Sequence, residues 1–142
     1  MLTILTLTSL LGCTNKEVTK YDYNFIGEND LWKAQLIANG ENTIYKANDK
    51  LQSNGSLHEK LVVTYKKDIS ELSCVKNLKI SYESSNGGGT LNTSFLTCPP
   101  SEKVYTIESS STGNYYKYNK DQIIVVDIFL DGQKQSVEMK AK

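Results

Sequence analysis

The chain has 142 residues, 39% hydrophobic and 23% charged, the size and composition of one globular domain. Its 16 basic residues, all Lys, balance 16 acidic ones, and zero net charge excludes a global electrostatic footprint for nucleic acid. The lack of Arg removes the side chain best shaped to clamp phosphate. A single His with three Cys leaves few ligands for a zinc site.

The first twelve residues, Met1 to Gly12, carry no charged side chain. The stretch is too short to cross a bilayer as a helix, which takes about 20 residues, and has the length of a secretory signal's apolar core. It ends in Leu10-Leu11-Gly12-Cys13, which resembles a bacterial lipobox. That resemblance implies that Cys13 receives diacylglycerol and becomes the mature N-terminus. Two acyl chains give durable anchoring where one does not. The expected organisation is therefore a lipoprotein signal peptide at 1–12, a lipidated Cys and polar tether at 13–24, and a folded domain at 25–142. The expected location is the extracytoplasmic face of the cell membrane. The other reading of the opening stretch is a short buried strand or helix with a structural Cys.

Beyond the tether, period-two alternation dominates and predicts strands. Trp32, Ala34, Leu36 and Ala38 share one face, with Lys33 and Gln35 on the other. Leu57, Leu61, Val63 and Tyr65 alternate with His58, Lys60 and Thr64, and Leu78, Ile80 and Tyr82 with Lys79 and Ser81. Ile124, Val126, Ile128 and Leu130 form one face of a strand whose other face, with Ile123 and Val125, is apolar too. That pattern predicts a central strand covered on both sides. Turn signals stand at Asn39-Gly40, Asn54-Gly55, Asn86-Gly87-Gly88-Gly89, Gly113-Asn114 and Asp131-Gly132. The strongest hairpin joins 122–130 to 133–140 through Asp131-Gly132. The whole reads as an all-β domain of about seven to nine strands, an antiparallel β-sandwich for which the immunoglobulin-like arrangement is one form.

Cys74 and Cys98 lie symmetrically about position 86, so a hairpin turning there brings them nearly opposite each other. Outside the membrane they are able to form a disulfide, which leaves Cys13 as the odd cysteine. Unlinked thiols are the alternative, since a register slip of two residues separates the sulfurs.

The stretch Phe25-Ile26-Gly27-Glu28-Asn29-Asp30-Leu31-Trp32, then Tyr65-Lys66, Ile80-Ser81-Tyr82-Glu83 with Gly87-Gly88-Gly89, and Ile128 with Gly132, resembles small uncharacterised lipoproteins of spore-forming Gram-positive bacteria. In those proteins the closing hairpin carries Trp and Glu where this chain has Leu130 and Gln135. The resemblance implies location and fold and supplies no chemistry.

No catalytic residue, metal ligand set or cofactor motif is legible. G-x-S-x-G, H-E-x-x-H and P-loop patterns are missing from the sequence. His58 falls opposite the apolar face of its strand. The carboxylates Glu28, Asp30, Asp68, Glu71, Asp127 and Asp131 are scattered. Glu28 with Asp30 is a candidate calcium loop, and solvated loop acids are the plainer reading. Tyr115, Tyr116 and Tyr118, with Tyr21, Tyr23 and Trp32, are a candidate exposed aromatic surface of the kind that stacks on sugars, peptides or envelope polymers. The other reading is a core Trp among strand tyrosines. The expected function is a non-enzymatic interaction or structural module of the cell envelope. Its partners would be the membrane, through the lipid anchor, and an envelope polymer or surface protein, with no nucleic acid and no cofactor. A small-molecule or ion-binding sensory lipoprotein is the alternative; an envelope hydrolase with paired carboxylates is a weaker third.

Overall fold

A computed structural model describes residues 15–142 apart from Ser73. Eight strands make up the fold: β1 (Lys16–Glu28), β2 (Trp32–Ala47), β3 (Lys50–Tyr65), β4 (Asn77–Ser84), β5 (Gly87–Ser94), β6 (Val104–Thr112), β7 (Ile124–Leu130) and β8 (Gln133–Ala141). A 3-10 turn, Ile69–Leu72, leads from β3 towards β4. The residues 16–24, expected as a tether, enter the fold as the first part of β1, paired to β2 from Lys16↔Tyr45 onward.

All eight strands lie in one antiparallel sheet, ordered β5-β4-β7-β8-β1-β2-β3-β6. The expected sandwich, immunoglobulin-like or otherwise, requires two separate sheets. Here the ladder runs through: β8 pairs with β1 at Phe25↔Ala141 and Ile26↔Lys140. The sheet coils until its two edge strands approach, with Gly89 on β5 lying against the Ile107 side chain of β6. The result is a nearly closed, barrel-like sheet, and closure suits strongly twisted strands of this length.

The turns follow local chemistry in some places and defy it in others. Asp131 (φ 47°) and Gly132 (φ 86°) make the two-residue hairpin between β7 and β8. The β4–β5 hairpin turns at Ser85 and Asn86, and its three glycines belong to β5. Asn39-Gly40 and Asn54-Gly55 are not turns. They sit inside β2 and β3, where Gly40 faces Leu57 and Gly55 faces Asn42. A Cβ on Gly40 would collide with the Ser56 carbonyl and the Tyr21 hydroxyl, so glycine serves here for close approach within a bending strand. The real β2–β3 turn is Asn48-Asp49, both at positive φ.

The alternating faces assemble as the sequence predicts. Trp32, Ala34, Leu36, Ala38, Leu57, Leu61, Val63, Tyr65, Leu78, Ile80 and Tyr82 are all buried, as are Ile124, Val126 and Ile128. They fill the barrel with Phe25, Val137 and Met139. β7 is central in strand order but covered on one face only, because Ile123 and Val125 stand exposed on the outside. With the sheet closed on itself there is no second layer to cover them.

Candidate functional site

β3 carries Leu57, Glu59 and Leu61 on one parity, so Glu59 points with the leucines into the barrel and is 1% exposed. A buried carboxylate needs partners, and the fold supplies four hydroxyls. The Tyr82 hydroxyl donates to Oε2 at 2.9 Å and Ser109 to the same oxygen at 3.4 Å. Ser84 donates to Oε1 at 2.8 Å, and the Tyr118 hydroxyl donates to Oε1 as well. Ser84 comes from the end of β4, Ser109 from β6 directly opposite Glu59, and Tyr118 from the 113–123 crossing between β6 and β7. Among the described residues no lysine forms an ion pair with Glu59. Two hydroxyl donors on each oxygen take the place of a cation.

The phenols respond to this setting. Burial pushes the Tyr82 hydroxyl up to about 12, and the neighbouring Glu59 charge opposes its ionisation further. Burial and the hydrogen bond to Glu59 raise Tyr118 as well. Tyr21 is also pushed up to about 12 by burial, then by Tyr116 and Glu59. Its hydroxyl donates to the Ser56 carbonyl at 2.7 Å. Tyr21, Tyr23, Phe25 and Tyr118 form one aromatic cluster, with the Tyr23 and Tyr118 rings 5.5 Å apart.

The crossing segment is pinned over this end of the barrel by a second buried polar contact. The Asn42 amide donates to the Tyr116 carbonyl at 2.7 Å, and the Tyr116 N–H donates to Asn42 Oδ1 at 3.0 Å. The expected aromatic surface therefore does not form. Tyr116 and Tyr118 are buried, and of the three only Tyr115, at 48%, is exposed. Trp32 also belongs to the core, edge-on to Tyr65 with ring centroids 5.0 Å apart. The barrel interior satisfies the Tyr118 hydroxyl through Glu59, whereas the Trp32 Nε1–H is buried without a hydrogen-bond partner among the described residues.

The scattered carboxylates stay apart, and four of the six have a local partner. Glu28 pairs with Lys66 at 3.3 Å, Asp68 accepts from Ser70, and Asp127 pairs with Lys134 at 3.0 Å. Asp131 accepts from the Asn77 N–H at 2.8 Å and so ties the β7–β8 turn to the start of β4. Asp30 and Glu71 lie on the surface. Among the described residues, no group of three or more His, Cys, Asp and Glu side chains is placed to hold a metal ion. His58 points outward and meets the Ser110 hydroxyl at 3.0 Å. Cys74 and Cys98 are joined by a disulfide beneath the β4–β5 hairpin, with Cα atoms 4.7 Å apart. Cys13 lies outside the described residues.

Glu59 was the residue sequence reasoning passed over, although its parity with Leu57 and Leu61 was the available signal. Chemically the site is saturated: both carboxylate oxygens are occupied by internal donors and the crossing segment closes it from outside. The arrangement works as a clasp joining β3, β4, β6 and the crossing. An open concavity lies on the outer face of β4, β5 and β7, lined by Ser81, Glu83, Thr90, Ile123, Val125 and Asp127 and reaching the clasp residues Tyr82 and Ser84. No protein-family model matches the chain, and no curated protein or solved structure matches it.

Proposed function

We propose that this chain is an extracytoplasmic lipoprotein, anchored through Cys13, whose barrel-like domain is a non-enzymatic interaction or structural module of the cell envelope. One observation carries the reading. The disulfide takes Cys74 and Cys98, which leaves Cys13, the cysteine closing Leu10-Leu11-Gly12-Cys13, as the third cysteine of the chain. Disulfides of this kind belong to oxidising compartments, and a lipobox delivers a protein to one. The clasp at Glu59 fits a structural module, because its polar groups are spent on one another. Intact mass of the protein purified from bacterial membranes tests the reading. The expected species begins at Cys13 and carries the added mass of diacylglycerol. A chain still beginning at Met1 and recovered from the cytosol overturns it.

The outer groove favours a second reading, a sensory lipoprotein that takes a small molecule or ion. Hydroxyls of Ser81 and Thr90 and the carboxylates of Glu83 and Asp127 border the exposed apolar Ile123 and Val125, a mixture suited to a small polar ligand. Thermal unfolding with calcium, sugars and muropeptides separates the two readings. A rise in melting temperature with one of them, lost on Asp127→Ala, supports the sensor.

A further inference from the structure

The first three strands outrun the barrel. The β6 ladder on β3 starts at Ser56, with Gly113 donating to the Gly55 carbonyl just beyond it, and towards the arm the β8 end of the chain bonds β1 no further than Asn24, whose carbonyl accepts from Lys142. Beyond Tyr21 and Asn42, which the core and the crossing still hold, residues 16–18, 43–47 and 50–54 continue as a three-stranded arm, closed at Asn48-Asp49. Five residues of strand at about 3.3 Å each carry its tip roughly 16 Å from the barrel. The arm contributes nothing to the barrel core at its outer end, yet it ends in exposed apolar side chains: Leu51 is 78% exposed and Val18 45%. Half-buried Tyr45 and exposed Lys16 share the face of Val18, Lys46 shares that of Leu51 and pairs with Asp49 at 3.3 Å, and Lys50 is exposed beside the turn.

β1 enters the structure at this same tip, since Lys16 pairs with Tyr45, three residues before Asn48 of the turn. Only Thr14 and Asn15 separate Lys16 from Cys13. Whatever path they take, the two residues from Cys13 to Asn15 span at most about 7 Å. An acylated Cys13 thus places the arm's tip at the bilayer surface.

We propose that the tip of the arm, residues 45–51 with Lys16, is a bilayer-contacting foot that sits in the headgroup layer of an anionic membrane and holds the barrel away from it. The proposal rests on acylation of Cys13. Leu51 reaches the apolar edge of the layer, Tyr45 lies at the interface, and the three lysines meet anionic headgroups. Lysines near such a surface are each worth about a fivefold gain in local binding. The barrel end bearing Trp32 and the Ile69–Leu72 turn points away from the membrane.

The test uses the mature lipidated chain in vesicles of phosphatidylcholine and phosphatidylglycerol. An environment-sensitive fluorophore is placed at Leu51→Cys or, at the far end, at the exposed Lys67→Cys. The disulfide and the acylated Cys13 leave each introduced thiol as the single free one. The foot predicts a blue-shifted emission at position 51 that is quenched by spin-labelled lipid, with position 67 water-exposed and unquenched. Replacing Lys16, Lys46 and Lys50 with Glu should reduce quenching at 51 while the protein stays on the vesicles. Acylated protein with position 51 unquenched overturns the foot and leaves the lipoprotein reading intact. A blue shift without lipid quenching overturns it in favour of arm-to-arm pairing between two copies. Intact mass showing no acyl group overturns both the foot and the lipoprotein reading.

Discussion

Removing the Glu59 carboxyl should damage the fold more than any surface change. In Glu59→Ala the Tyr82 hydroxyl loses its acceptor inside the barrel, and Tyr118 keeps only the long 3.3 Å contact to the Ser84 hydroxyl. Ser84 is less affected, because the Gly87 carbonyl lies 3.1 Å away as a second acceptor, and the Ser109 contact is already long at 3.4 Å. An orphaned buried donor costs about 1–3 kcal/mol, and the cavity left by the side chain adds to the losses at Tyr82 and Tyr118. The expected destabilisation is about 3–5 kcal/mol, a large share of the roughly 5–15 kcal/mol that holds a domain of this kind. Glu59→Gln keeps the shape and one acceptor oxygen, while its amide must be met by hydroxyls that now accept. That change should cost about 1–2 kcal/mol. Lys60→Ala is the control: next door, outward, in a half-exposed ion pair with Glu108 at 3.1 Å, it should change stability by less than about 0.5 kcal/mol. Guanidinium unfolding with the disulfide intact, followed by fluorescence of the single buried Trp32, reads all three. A Glu59→Ala protein within about 0.5 kcal/mol of the parent, against the cost expected for orphaned donors, would refute the four-hydroxyl clasp.

Other consequences follow from the same architecture. Tyr21 and Tyr82 both titrate near 12 in the folded chain instead of 10. Above pH 10 the unfolded chain loses phenol protons that the folded chain keeps, so their stabilising contribution, complete below pH 10, is lost progressively as the pH rises through 12. Chemical unfolding from pH 9 to 12 should show that decline, and Tyr82→Phe should make it shallower. Replacing Cys74 and Cys98 together by Ser releases a loop with a sequence separation of 24. Loop-closure entropy puts the loss near 3.5 kcal/mol, measurable as a lower guanidinium midpoint. Gly40→Ala puts a methyl group against the Ser56 carbonyl, part of the backbone, and against the Tyr21 hydroxyl. It should cost about 1–3 kcal/mol in the same assay, where an ordinary strand Gly→Ala change is neutral or favourable.

Much of this fold is legible in a single chain because pleating is local. Side chains alternate with period two wherever a strand runs, so Trp32 to Ala38 and Leu57 to Tyr65, though not Ile123 to Leu130 with its two apolar sides, announce their inner faces without reference to any partner. Asp131-Gly132 does the same for a turn, because positive φ is a property of those residues. The symmetry of Cys74 and Cys98 about one hairpin needs only the hairpin. Asn39-Gly40 and Asn54-Gly55 mislead for the converse reason. The same permissive backbone that makes a turn also lets two strands bend past each other, and only the neighbours of Gly40 and Gly55 distinguish the two uses.

Tertiary structure alone decided the rest. Whether the strands stack as two sheets or coil into one depends on the brief pairing of Phe25 and Ile26 with the far end of the chain, and strand pattern carries no trace of that contact. The fate of the tyrosines turned on it too. A closed barrel has an interior that takes Tyr116 and Tyr118, whereas a sandwich loop would have left them in water. Parity alone points Glu59 inward. Its toleration there depends on hydroxyls 23, 25, 50 and 59 residues away, because the cost of a buried charge is set by whatever the fold brings within hydrogen-bond reach.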